Sequence, residues 1–267
     1  MRIGITMSES KTQHFINQAY ISLIINSGLK PVAIFPDSDI ADMANMLDGL
    51  ILPGGIDIDP IYYGEDNENS MSVDPKKDAF ERAVFHTFRN GGKPIFGICR
   101  GFQLIVRELM ATNETLNKNL RFVSHINEHN QMNDQSLERN ICQHYVMCKT
   151  HVLYGDTDKT PRSIPVNSMH HQCLLVDLKK PEISSFANFR VMAWTQRGLK
   201  IDKKNTGFPV VCEAFSIVDW GARIRAVQWH PEELNDSALL KSFFYYQGNK
   251  QTIAAPIVSI ANAAVVL

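Results

Sequence analysis

The sequence predicts an α/β fold, a largely parallel sheet with helices on both faces. Three observations carry this. The first half alternates short apolar runs, read as buried strands, with amphipathic stretches of helical period. The 267 residues are 44% apolar and 21% charged, an ordinary globular composition near the upper limit of what one core supports. Beyond Thr112 the pattern turns strand-rich, with no repeat and no Pro-, Gly- or Ser-rich linker to mark a second independent domain.

In chain order, strands are expected at Arg2–Met7, Pro31–Phe35, Gly49–Leu52 and Pro94–Ile98. Between the first two, Gln13–Asn26 carries apolar residues at Phe15, Ala19, Ile21, Leu23, Ile24 and Ile25 and reads as a helix. Ser27-Gly28 ends it, because Gly just past a periodic stretch is a stop signal. A second helix is expected over Ile40–Leu47. A third, Pro75–Arg89, has Pro in its first turn and a stripe of Ala79, Ala83, Val84 and Phe88. The polar segment Asn113–Asn140, rich in Asn, Gln and His, reads as a surface excursion. Strands follow at His144–Lys149, Arg190–Thr195, Val210–Ile217 and Arg223–Trp229, then a helix at Ala238–Tyr246. Ile253–Leu267 is the most apolar stretch, but it is short for a membrane span and carries Ser259 and Asn262. The expected organisation is one domain over residues 1–250 and a docked tail over 251–267.

Charge excludes some partners. With 27 basic and 28 acidic residues the net charge is -1, which gives no electrostatic case for nucleic acid or an anionic membrane. The five cysteines include no C-x-x-C pair, so free thiols in a reducing compartment are expected. Met1–Thr6 runs straight into a strand pattern rather than a secretory leader, and a cytoplasmic location is expected.

The sharpest local signal is Pro94-Ile95-Phe96-Gly97-Ile98-Cys99-Arg100-Gly101-Phe102-Gln103. An apolar strand meets a Gly-flanked Cys, and a helical pattern (Leu104, Ile105, Leu109) follows at once. This is the strand–turn–helix pattern of a nucleophile elbow, and the helix N-terminus favours a thiolate. Taken alone, the same pattern also fits a buried Cys at a strand end. A thiolate nucleophile needs a base, and the base an orienting group. His230-Pro231-Glu232 closes another strand pattern. There, positions i and i+2 of an extended segment would share one side.

Together these residues resemble the class I glutamine amidotransferase domain, and within it the peptidase C26 branch that includes γ-glutamyl-γ-aminobutyrate hydrolases. Further segments fit that branch: Gly4-Ile5-Thr6, Pro53-Gly54-Gly55-Ile56-Asp57-Ile58-Asp59-Pro60 with Tyr62-Tyr63-Gly64-Glu65, Asp78-Ala79-Phe80-Glu81, and Asn167-Ser168-Met169-His170-His171-Gln172. The resemblance implies a flavodoxin-like three-layer α/β/α fold with a mostly parallel central sheet. It implies Cys99 as nucleophile, His230 as acid and base, and Glu232 as the orienting carboxylate. Backbone N–H groups of Gly55 and Arg100 would hold the oxyanion beside Gly54, Gln103 the glutamyl part, and His170, His171 and Gln172 would lie at the substrate pocket. Asp78 and Glu81 are read as structural, and Cys142, Cys148, Cys173 and Cys212 as packing residues. His125, His129, His144 and His151 show no metal-ligand spacing, so neither metal nor other cofactor is expected.

The sequence departs from the family at Asn113-Glu114-Thr115-Leu116 and over Gln196–Pro209, segments that often line the leaving-group side. The expected activity is hydrolysis of γ-glutamyl amides through a thioester, with a small amine such as γ-aminobutyrate leaving, in polyamine or nitrogen catabolism. The rate is expected to fall at acid pH as His230 gains a proton. Two other readings remain: a glutaminase subunit feeding ammonia to a separate synthase, and a silent ligand-binding homologue. The expected partner is a small γ-glutamyl substrate, with no nucleic acid and no membrane; a homodimer is left open.

Overall fold

A computed structural model describes residues 1–63, 70, 72–123, 127–134, 136–177, 189–197 and 209–245. The chain opens with β1 (Arg2–Thr6), then a short hairpin of β2 (Ser8–Glu9) and β3 (His14–Phe15). The helix expected from Gln13 starts later: α1 spans Gln18–Asn26. Asn17 is extended, and its side chain accepts the Ala19 N–H at 2.9 Å. That cap fixes the start and leaves His14 and Phe15 to the hairpin. At the other end Gly28 takes φ +74°. Its N–H donates to Ile25 and the Leu29 N–H to Ile24, a Schellman stop that the sequence announced through Gly28.

The next elements are β4 (Lys30–Ile34), α2 (Ile40–Met46), β5 (Gly49–Leu52), α3 (Pro75–Asn90), β6 (Ile95–Ile98) and α4 (Arg100–Thr112). These agree with expectation to within about a residue. The segment read as a surface excursion is largely exposed among its described residues. It holds α5 (Glu114–Asn119) and β7 (Arg121–Val123), and His129 and Gln131 within it are buried. Those two polar side chains face Glu213 and Ser168 inside the protein, which composition alone does not reveal. Then come β8 (His144–Cys148), α6 (Thr150–Leu153), β9 (Arg162–Val166), β10 (Cys173–Asp177), β11 (Arg190–Thr195), β12 (Pro209–Asp219), β13 (Ala222–Val227) and α7 (Ser237–Phe244). Of these, β7, β9 and β10 are unannounced by the sequence pattern. Strand β9 lies at the end of the sheet path, where Pro165 costs no ladder bond on the open side.

The sheet runs β4-β1-β5-β6-β13-β12-β11-β8-β9, with β10 pairing β12 and β7. The first five strands are parallel and the rest join antiparallel. Strand alternation splits the core in two. Leu50, Leu52, Ile95, Ile224 and Ala226 pack with α2, α3, α4 and α5 on one face. Ile3, Ile5, Ile51, Phe96, Ile98 and Val227 pack with α1, α6 and α7 on the other. The three-layer α/β/α arrangement follows from these two apolar faces. Residues 251–267 and most of Gln196–Pro209 lie outside the described residues, as do Gly64, Glu65 and His125. Among the described residues no helix is long and apolar enough to cross a membrane.

Candidate active site

Strands β5, β6 and β13 are neighbours, and their carboxyl ends deliver Gly54-Gly55, Cys99 and His230 to one place, as parallel sheets generally do. Cys99 caps α4 with φ 49° and ψ −102°, a conformation that L-residues hold only when their surroundings enforce it. Its N–H donates to the Val227 carbonyl at 2.9 Å, and its carbonyl accepts the Gln103 N–H at 3.1 Å. The turn requires its glycines. A Cβ on Gly101 would lie 2.1 Å from the Leu52 carbonyl oxygen, and one on Gly97 would lie 2.6 Å from Ile105 Cδ1. The helix therefore starts directly against the sheet, and the sulfur is held at the rim of a cleft.

The base sits opposite. His230 Nδ1 is 2.6 Å from Glu232 Oε1, and both side chains are buried. The pairing arises in a turn after β13, where Asn235 N–H donates to Glu232 and Asp236 N–H to Pro231, and not along an extended strand. Asn167 clamps this turn from the β9 side: its Oδ1 accepts the His230 N–H at 3.0 Å and its Nδ2 donates to the His230 carbonyl at 3.1 Å. Sequence reading treated Asn167 as part of a motif without giving it this task. It missed Tyr20 altogether, because α1 shows only an apolar stripe. The Tyr20 hydroxyl accepts the Gly54 N–H at 2.9 Å, and burial with the Glu232 carboxylate beside it pushes the phenol well above its usual range. Gly54 is crowded by the site itself: a Cβ there would meet the Tyr20 hydroxyl at 2.7 Å and His230 Cε1 at 2.9 Å.

Burial works against a charged His230, but the Glu232 carboxylate and then Cys99 outweigh it and push the imidazole up to about 10. The surroundings thus favour a protonated His230 in the resting state. Folding retains a proton here that the unfolded chain releases near pH 6.5. The stabilisation from the pair is therefore complete below that pH and is lost as pH rises through about 10. Because Cys99 is one cause of the shift, Cys99→Ala is expected to bring the His230 titration down toward neutral. NMR titration of the imidazole resonance in both proteins checks this, and equal midpoints would contradict the coupling.

Arg100 follows the nucleophile, and its side chain turns inward. Its guanidinium pairs with both Asp78 and Glu81 of α3, all three fully buried. Glu81 also accepts from Thr6 Oγ1 at 2.8 Å, and Asp78 accepts the Asp59 N–H at 2.9 Å. These contacts tie β1, α3 and the loop after β5 to the elbow, a structural place for Asp78 and Glu81. Burial pushes Asp78 up despite Arg100. Lys77 Nζ donates to Ser8 Oγ at 2.6 Å and faces Gly55, where a Cβ would lie 3.2 Å from it.

A cavity of about 450 Å³ opens over Cys99 and His230. Tyr20, Gly54, Gly55, Lys77, Arg139 and Met169 are among its walls, and the β2–β3 hairpin contributes Ser8, Glu9 and Phe15. Gln103, His170, His171 and Gln172 do not line it. Gln103 is buried under the first turn of α4. His171 Nε2 lies 2.9 Å from Asp57, Gln172 donates to Ser70 Oγ at 3.0 Å, and His170 faces Glu213. All five cysteines are free thiols. Cys148, Cys173 and Cys212 are buried, and burial pushes Cys148 up to about 12. Cys142 is exposed, so it is not the packing residue expected.

The Peptidase C26 family model matches residues 3–232. The chain is 27% identical over 256 residues to a γ-glutamyl-γ-aminobutyrate hydrolase of Escherichia coli (strain K12), covering 92% of this chain and 91% of the relative. It is 26% identical over 221 residues to a glutamine amidotransferase-like protein of Lactococcus lactis subsp. lactis, covering 82% and 80%. Among solved structures, the glutaminase domain of Trypanosoma brucei CTPS with bound acivicin superimposes with a TM-score of 0.53 at 15% identity, covering 91% of each chain. That likeness bears on the fold alone, and it agrees with the α/β/α arrangement above.

Proposed function

The chain belongs to the Peptidase C26 family, cysteine-dependent hydrolases like the glutamine amidotransferases, and we propose that it cleaves γ-glutamyl amides through Cys99, His230 and Glu232. The observation that carries this reading is the strained Cys99 elbow facing a buried imidazole–carboxylate pair across a cavity of about 450 Å³. Cys99 Sγ adds to the γ-carbonyl carbon, and the oxyanion is held by the backbone N–H groups of Gly55 and Arg100. The C–N bond then breaks, His230 gives its proton to the departing amine, and a γ-glutamyl thioester remains on sulfur. Acylation removes the sulfur charge that helps keep His230 protonated, so the imidazole becomes a base at that stage. It takes a proton from water as the hydroxide adds to the thioester, and it keeps that proton as the C–S bond breaks and glutamate leaves, which restores the thiolate beside a protonated imidazole. Glu232 orients the ring throughout.

The cavity wall carries both signs of charge, Lys77 and Arg139 with Glu9 and Asp74, Arg139 being paired with Glu233, which suits a zwitterionic substrate. A γ-glutamyl-γ-aminobutyrate dipeptide has that form, and the E. coli relative's name points the same way. Such a substrate would put the protein in polyamine or nitrogen catabolism. The test is glutamate release from γ-glutamyl-γ-aminobutyrate, other γ-glutamyl amines and free glutamine, with no partner added. The dipeptide is expected to be hydrolysed faster than glutamine at equal concentration. An α-linked glutamyl amide should be slower by ~10²-fold, because it misplaces the reacting carbonyl by more than about 1 Å. Faster turnover of glutamine would favour the glutaminase reading, and no turnover of any of them a silent homologue.

A further inference from the structure

On the far side of the β9–β10 loop from the cavity, four side chains from distant segments meet in the interior. Glu213 of β12, His129, His144 of β8 and His170 are all buried, Glu213 and His129 completely. From a single carboxylate oxygen, Glu213 Oε1, His129 Nδ1 is 3.1 Å away, His144 Nε2 3.4 Å and His170 Nε2 3.8 Å. His129 also holds His144 and His170 at ring-centroid separations of 4.8 and 5.0 Å. Yet none of these contacts is a well-directed hydrogen bond. His129 Nδ1, both nitrogens of His144, His170 Nε2 and both oxygens of Glu213 lack a hydrogen-bond partner among the described residues. Each buried polar atom left unpaired costs ~1–3 kcal/mol, and those of His129, His170 and Glu213 that lie together call for a common partner.

The geometry points to a metal ion: we propose that His129, His170 and Glu213 form a structural site for a divalent cation of the zinc class, with His144 beside it. One ligand atom each from His129, His170 and Glu213 lie mutually within 4.8 Å. Ligands ~2.0–2.1 Å from a tetrahedral zinc stand ~3.3 Å apart, close to the separations from Glu213 Oε1. The ring orientations are already set. His129 Nε2 is 3.0 Å from the Arg197 carbonyl and His170 Nδ1 2.8 Å from the Gln172 carbonyl. A carbonyl only accepts, so those nitrogens carry protons, and in the neutral ring the opposite nitrogen is the one left to ligate, on the side of Glu213. This is the outer-shell arrangement typical of metal-bound imidazoles. The burial of all three ligands makes the site structural. Its ion would join β12 to the loops carrying His129 and His170. The second of those loops includes Asn167, which clamps His230, and Met169 of the cavity wall.

The test uses the full chain carrying Cys99→Ala, so that the thiol cannot capture the probe. After chelator treatment under unfolding conditions and refolding with Zn²⁺, mass spectrometry of the metal content is expected to find one ion per chain, with a raised melting temperature. Co²⁺ alone should give the intense visible bands of a four-coordinate nitrogen–oxygen site. Glu213→Gln and His170→Ala should each weaken zinc binding at least ~10-fold. The proposal is overturned if the Cys99→Ala protein retains no stoichiometric zinc. It is equally overturned if Co²⁺ gives only the pale spectrum of a six-coordinate ion, or if Glu213→Gln binds zinc as tightly as its parent. Should the ligand variants fail to fold, the stoichiometry and Co²⁺ spectrum of the parent decide alone.

Discussion

Cys99→Ala is expected to lower kcat for γ-glutamyl amide hydrolysis by ~10³-fold or more, because substrate binding and the oxyanion donors cannot replace a covalent step. The fold should hardly notice. One sulfur is lost from a residue at the rim of the cavity, and alanine can hold the same turn while Gly97 and Gly101 keep the helix against the sheet. Steady-state glutamate release and a urea melt, measured on one preparation, separate the two effects. A variant that keeps wild-type turnover would end the thioester mechanism. A variant that loses turnover only because it unfolds would show a shifted midpoint.

Arg100→Met carries the largest expected cost in stability, ~3–5 kcal/mol, the usual consequence of removing one partner from a buried ionic cluster. Asp78 and Glu81 would then face each other inside the protein without their shared cation. Lys77, 3.9 Å from Glu81, is the remaining positive group, and burial already lowers its own affinity for a proton. Urea unfolding followed by far-UV circular dichroism gives the midpoint. A change of only a few tenths of a kcal/mol would mean that the cluster contributes little and that hydrophobic packing alone fixes the elbow.

The contrast between these two sites shows what a linear sequence discloses. The elbow is local: strand, Gly97, Cys99, Gly101 and amphipathic helix lie within about a dozen residues, so strand period and glycine placement identify it. The parallel core was legible for the same reason, as each buried strand is a compact apolar run. The α1 start was misread because Phe15 falls in helical phase, whereas the Asn17 cap decides the boundary. The remaining features are long-range. Tyr20 reaches Gly54 across 34 positions, and Asn167 reaches His230 across 63. The His129–His144–His170–Glu213 cluster draws on separate strands and loops, so no spacing rule exposes it. Segment 113–140 is largely exposed, as its polarity suggests, and only the interior partners of His129 and Gln131 are invisible in its composition.

The central claim is that Cys99 carries the glutamyl group during turnover. Acid-quenching the enzyme during hydrolysis of γ-glutamyl-γ-aminobutyrate, digesting it and weighing the peptides tests this directly. The mechanism predicts a γ-glutamyl adduct on the Cys99 peptide, present during turnover, gone once substrate is exhausted, and released by hydroxylamine as expected of a thioester. Sustained turnover with no adduct on that peptide under conditions where acyl transfer is rate-matched to hydrolysis, or an adduct on Cys142 instead, would contradict it.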